Sequence, residues 1–155
     1  MKSHQKISIT KVEITNDLEK IIEDIKSANW LAASEISPDD YSVEDLKTHL
    51  AVRENIFCVA YYENIFAGMA SASIRTKPDG DKWLYIDEVD VCKDMLRKQV
   101  GTSLMKFLLD YAKTNNCAES WLGTEVENVA ANSLYNSLNP SEVAHFVGYT
   151  FTTKN

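Results

Sequence analysis

The stretch from residue 56 to residue 76 limits the possible folds more than any other part of the chain. IFCVAYY at 56 to 62 and IFAGMASASIRT at 65 to 76 both have the apolar density of buried strands, and only Glu63-Asn64 separates them. Two strand-like runs joined by two polar residues predict a tight antiparallel hairpin. Gly68 interrupts the second run and marks a bulge or a close approach by another backbone. KPDGDK supplies the next turn, and WLYIDEVDV at 83 to 91 reads as a further strand. An antiparallel centre of three strands must then be covered by the segments on either side of it in sequence.

Those segments have the patterns to do so. KISITKVEI at 6 to 14 alternates through Ile7, Ile9, Val12 and Ile14, a strand with an irregularity near Thr10 and Lys11. Asn16 and Glu19 form an expected capping box, behind which Leu18, Ile21, Ile22 and Ile25 recur at helical spacing. SEISPDDYS at 34 to 42 carries loop chemistry, and Ser42 with Asp45 caps a second helix with Val43, Leu46 and Leu50 on one face. A long helix follows from Val100 to about Asn115 with a stripe of Leu104, Phe107, Leu108 and Tyr111. CAESWLGT at 117 to 124 reads as a strand, 128 to 138 as a helix, and SEVAHFVGYTF as a closing strand. The order βααβββαβαβ predicts an α/β (α+β) chain, a mixed central sheet flanked by helices. At 155 residues it is expected to form a single domain spanning 1–155.

Composition narrows the function. Twenty-three acidic against sixteen basic residues give a net charge of −7, which disfavours nucleic acid, whose binding rests on Lys and Arg neutralising phosphates. Cationic partners fit better. No segment approaches the roughly 18 apolar residues of a spanning helix, and the first residues lack a cleavable leader pattern, so a cytoplasmic protein without a membrane partner is expected. Cys58, Cys92 and Cys117 are odd in number and lack CxxC spacing, as expected of free thiols in a reducing compartment. His4, His49 and His145 lack HxxxH or HExxH spacing, which argues against a metal. Trp30, Tyr41, Tyr61 and Tyr62 read either as core or as the wall of a site.

The strand at 83 to 91 changes phase. Leu84 and Ile86 share one parity, yet continuing it gives Glu88 and Asp90, while Val89 and Val91 fall opposite. One extra residue near Asp87-Glu88, a β-bulge, would return Leu84, Ile86, Val89 and Val91 to a common face. The other arrangement is a regular strand covered on both sides.

From YIDEVDV through NVAANSLYNSL, the chain resembles the acetyl-CoA-binding half of the GNAT N-acetyltransferases, and the element order is similar to theirs. The strand YIDEVDV and the closing SEVAHFVGYTF most resemble aminoglycoside 3-N-acetyltransferases. At the family's pyrophosphate motif Q/R-x-x-G-x-G/A stand Leu96, Arg97, Lys98, Gln99, Val100 and Gly101, followed by Thr102; the first and fourth depart from the pattern. There the resemblance implies that loop and helix start hold the cofactor's phosphates, chemistry that suits backbone N–H groups converging at a helix N-terminus. Gln99 must adopt glycine's backbone angles or alter the loop. In N-x-x-A-x-x-L-Y-x-x-x-G, Asn128, Ala131, Leu134 and Tyr135 match, with Asn139 at the glycine position.

The resemblance implies further roles. Asn128 contacts the pantetheine arm, and the Tyr135 hydroxyl protonates the departing thiolate. Glu88 is the leading base for the acceptor amine, with Asp87 and Asp90 drawing the cation; otherwise these acids are a strand's wet face. The backbone of Val89, Asp90 and Val91 holds the thioester oxygen. The expected activity is transfer of acetyl from acetyl-CoA to a primary amine of a small molecule in a ternary complex, by a monomer or homodimer. The alternative is a GNAT-shaped binding or regulatory module with weak or lost coenzyme binding.

Overall fold

The computed structural model describes residues 6–31 and 34–154. The chain divides into two compact units, Met1–Gly123 and Thr124–Asn155. In the first, β1 (Ile7–Lys11) leads to α1 (Leu18–Ser27), a 3₁₀ turn (Pro38–Asp40) and α2 (Val43–Ala51). Next come β2 (Asn55–Tyr62), β3 (Ile65–Thr76), β4 (Lys82–Val91), a second 3₁₀ turn (Lys93–Met95), α3 (Val100–Thr114) and β5 (Glu119–Trp121). The sheet runs β1-β2-β3-β4-β5, antiparallel except that β5 lies parallel to β4. The second unit holds α4 (Val129–Asn136).

The hairpin is the one expected. Glu63 and Asn64 both take positive φ, 48° and 68°, as a two-residue turn matching the strand twist requires. Gly68 earns its place by close approach: a Cβ there would stand 2.5 Å from the Asp90 carbonyl oxygen. Helix α2 begins as expected, with Ser42 Oγ accepting from Asp45 N at 3.1 Å. Helix α1 does not. Its cap is Asp17, whose Oδ1 accepts from Lys20 N, while Asn16 Oδ1 accepts from Glu13 N and closes the preceding turn. Both side chains suit either task, and the turn at 13–16 decides between them.

Two apolar layers hold the first unit together. On one side of the sheet Leu18, Ile21, Ile22 and Ile25 of α1 and Leu46 of α2 meet Phe57, Val59 and Met69. On the other, α3 lies across β3 and β4 and buries Val100, Leu104, Met105 and Leu108. The phase change in β4 is a bulge. Ile86 pairs with Ala72 and Glu88 with Ser71, leaving Asp87 as the extra residue. Leu84, Ile86, Val89 and Val91 consequently oppose Ile74, Ala72, Ala70 and Gly68 on one face.

One expected strand is missing. Residues 141–151 form no ladder among the described residues, and the order ends at α4 as βααβββαβα. The alternation in SEVAHFVGYTF suits a strand, but a strand exists only beside a partner, and within Thr124–Asn155 no other strand is described. Among the described residues no helix is long and apolar enough to cross a membrane.

Candidate active site

The bulge divides β4 into two halves with different surroundings. Because Glu88 opposes Ser71 and Asp90 opposes Met69, both acids point to the α1/α2 side, in the row that holds Met69 and Ser71. Strand β5 pairs with β4 only at Trp83, Leu84 and Tyr85. From Ile86 to Val91, therefore, β4 has β3 on one side and no strand on the other among the described residues. That is where the backbone expected to hold a thioester oxygen, Val89 to Val91, is located.

Around Glu88 lies a cleft of about 360 Å³, with walls that include Asp40, Tyr41, Asp45, His49, Phe57, Ser71 and Asp87. Among the described residues, four carboxylates and no lysine or arginine line it. Tyr41 follows the first 3₁₀ turn, which the proline at 38 starts, and its hydroxyl makes a long hydrogen bond of 3.5 Å to Glu88 Oε2. Burial, and then the charges of Glu88 and Asp90, push the Tyr41 phenol up to about 12. It stays protonated and donates.

Asp90 is 8% exposed. Burial, with the charge of Glu88 added, raises its carboxyl to about 7. A carboxyl that exchanges its proton near neutrality beside a cleft carboxylate is suited to acid–base work. His49 brings a ring to the same cleft. Its Nδ1 lies 3.4 Å from Asn55 Nδ2, and its buried Nε2 has no hydrogen-bond partner among the described residues.

The loop from β4 to α3 is pinned at its start. Cys92 N donates to Ala67 O and Lys93 N to Asn29 O, each at 2.8 Å, and Cys92 forms an isolated bridge with Trp30. Leu96 is exposed, while Arg97 and Gln99 both take left-handed angles, φ 60° and 65°. Gln99 thus accepts the conformation glycine would have supplied, at a cost of about 1–2 kcal/mol. It is the N-cap of α3, yet its side chain caps nothing, and Val100, Gly101 and Thr102 form the first turn. The first N–H groups of a helix have no partner within the helix, and here the N-cap side chain supplies none. Lys98 reaches back over the Tyr62 ring, with Nζ 5.1 Å from its centre.

In the second unit, Asn128 caps α4 by accepting from Ala131 N at 3.1 Å, and Tyr135 is half-buried on the same helix. Asn139 adopts the left-handed angles expected of it, φ 55°. Of the expected aromatic wall, Tyr41 lines the cleft, whereas Trp30 and Tyr61 pack against the α1/α2 core. Asp40, Asp45, His49 and Ser71 escaped the sequence reading. The first two were visible only as loop and cap residues, and their meeting with β4 is tertiary. Among the described residues no cluster of His, Cys, Asp and Glu is suited to a metal ion.

The family model described as Acetyltransferase (GNAT) family matches residues 18–139. Among solved structures, an aminoglycoside acetyltransferase from an uncultured soil metagenomic sample, in complex with trehalose, is 21% identical. That match covers 97% of this chain and 99% of the other at a TM-score of 0.82. An aminoglycoside N-acetyltransferase of the AAC(6')-Iy type, in complex with CoA, is 16% identical over 97% of this chain and 98% of its own, with a TM-score of 0.74. Glucosamine-6-phosphate N-acetyltransferase from Arabidopsis thaliana is 20% identical over 96% and 100%, with a TM-score of 0.66. No curated protein matches the sequence. The similar structures share the fold, and with the family model spanning most of the sequence, this chain belongs to the GNAT acetyltransferase family.

Proposed function

We propose that the protein moves the acetyl group of acetyl-CoA to a primary amine of a cationic small molecule, with an aminoglycoside as the leading class. The observation that carries this reading is the cleft at the β4 bulge, where Asp40, Asp45, Asp87 and Glu88 face one space with no lysine or arginine among the described residues that line it. Such a site concentrates ammonium groups and rejects anionic acceptors. The similarity to aminoglycoside acetyltransferases supports the same class.

Acetyl-CoA, when bound, supplies the activated acetyl thioester. The uncapped first turn of α3, Val100 to Thr102, with Arg97, Lys98 and the left-handed Gln99 before it, fits a pyrophosphate. Asn128 is assigned to the pantetheine arm by family resemblance. Glu88 takes the proton that the ammonium must lose before its nitrogen attacks, directly or through water. Asp90 behind it, protonated near neutrality, limits the negative charge that accumulates there. Tyr41 donates to Glu88 and fixes its orientation. Backbone N–H groups of Val89 to Val91 serve the carbonyl oxygen as charge develops on it. Tyr135 is assigned, by family resemblance alone, as donor of the proton that the leaving thiolate takes up.

The test is thiol release from acetyl-CoA over a panel containing sisomicin, spermidine, a small monoamine and a lysine peptide, with product mass as a second readout. Acetylation of the polycations well ahead of the others is expected. No heat on titrating millimolar acetyl-CoA, together with no thiol release, would overturn the proposal in favour of a non-enzymatic module.

A further inference from the structure

Strand β3 has a bulge of its own, opposite the end of β4. Ala60 pairs with Gly68 and Tyr61 with Phe66, so Ala67 is an extra residue with no partner on β2. Its carbonyl oxygen accepts from Cys92 N on the other side, at 2.8 Å. Gly68 follows and stands opposite Val91. Its φ is not positive, so glycine is not required there for its backbone angles. Space is the reason. An added Cβ would lie 2.5 Å from the Asp90 carbonyl oxygen, 3.3 Å from Val91 Cα and 3.5 Å from the Asp90 carbonyl carbon. All three are backbone atoms, and no side chain can swing aside to make room.

The peptide that Gly68 admits is the one joining Asp90 to Val91. In a planar trans peptide the C=O and N–H point in opposite directions. Since the Asp90 oxygen faces Gly68, Val91 N–H faces away from β3, toward the edge where no strand lies beside β4 among the described residues. Cys92 N–H, one residue on, points to β3, as the alternation of an antiparallel ladder demands. The chain beyond is held from two directions, Cys92 by Ala67 and by its bridge to Trp30, and Lys93 by the Asn29 carbonyl. A push at Gly68 therefore cannot pass along the loop and falls on the Asp90–Val91 peptide. We propose that Gly68, set beside the bulged Ala67, is a positioning residue for acetyl transfer: its missing Cβ lets β3 seat this peptide so that Val91 N–H is aimed at the thioester oxygen. The assignment rests on the function proposed above and narrows its backbone donors to one peptide and the residue that places it.

The experiment uses the full chain and acetyl-CoA isotopically labelled at the thioester carbonyl. With sisomicin as acceptor, Gly68→Ala should lower kcat by about 10- to 100-fold, the scale of moving a catalytic donor by an ångström or less. Its calorimetric affinity for acetyl-CoA should stay close to that of the wild type. In infrared difference spectra the carbonyl bound to the wild type should absorb at lower frequency than free acetyl-CoA, and Gly68→Ala should lose that shift. Leu84→Ala, which loosens the other half of β4, should keep both kcat and the shift. In the wild type, the Val91 amide proton resonance should move downfield as acetyl-CoA is added, a readout that stands even if Gly68→Ala fails to fold. Wild-type kcat or an unchanged carbonyl frequency in Gly68→Ala would overturn the proposal. So would an equal loss of kcat in Leu84→Ala, or a Val91 resonance that stays in place while acetyl-CoA binds. The infrared and resonance measurements need no acceptor, so they hold whichever amine is the substrate. Absence of acetyl-CoA binding to the wild type overturns the function proposed above and this assignment together; binding without the carbonyl shift overturns this assignment alone.

Discussion

The two halves of β4 share one strand and behave as two materials. From Lys82 to Ile86 the strand has neighbours on both sides, β3 and β5, and sends Leu84 and Ile86, both buried, into the layer under α3. From Asp87 to Val91 it has one neighbouring strand, one extra residue, and two acids on the opposite face, of which Asp90 is 8% exposed. The first half is satisfied and the second is not. A strand edge without a second neighbouring strand, beside carboxylates that face a cleft, is what a substrate can use, and the proposed chemistry is assigned to that half.

That contrast is open to direct attack, beginning with the largest effect. Glu88→Gln should lower kcat/KM by roughly 10²–10⁴, the worth of a positioned base, while the denaturant midpoint barely moves. A variant with full activity would remove Glu88 from the mechanism. Leu84→Ala should do the reverse, costing about 2–5 kcal/mol in chemical unfolding through a cavity under α3 while the folded fraction keeps its kcat. Equal losses of stability in both variants would erase the distinction between the halves.

Asp90→Asn is expected to act through pH. The folded protein holds this carboxyl at about 7 against an ordinary 3.8, so the native state binds the extra proton between those values and wild-type stability falls as pH rises across them. The gap bounds the penalty at about 4 kcal/mol, and relaxation should leave about half. The asparagine variant should therefore be more stable than wild type at pH 8, with the gain shrinking toward pH 4. A difference that does not change with pH would mean Asp90 titrates normally. The smallest effect concerns the loop. Gln99→Gly relieves a left-handed side chain but frees the unfolded chain, for a net gain of about 0.5–1 kcal/mol by thermal unfolding. A loss would show that the glutamine side chain makes a contact of its own.

Much of this was legible in the residues. The bulge was one of two readings of Val89 and Val91 falling out of phase with Leu84 and Ile86, a regular strand covered on both faces being the other, and the pairing with β3 decided between them. The hairpin at Glu63-Asn64 and the Ser42 cap were local, and local chemistry decided them. The α1 cap was local too, but Asn16 and Asp17 are near-equal cap formers, and the choice fell to a turn hydrogen bond that no pattern encodes. Asp40, Asp45 and His49 were illegible as site residues because their role comes from α2 and the first 3₁₀ turn lying beside β4. The closing strand is a different case: residues 141–151 form no ladder among the described residues. Its pattern is correct, but pairing is a property of two segments, and the sequence displays only one of them.

The cysteines have a practical consequence. Burial raises the Cys58 thiol to about 12 and the Cys92 thiol to about 11, and pushes Cys117 upward as well. Since only the ionised sulfur attacks a disulfide reagent, the folded protein should stay nearly silent toward such a dye at mildly alkaline pH. Colour that grows in a turnover assay then reports liberated coenzyme, with little background from the protein itself.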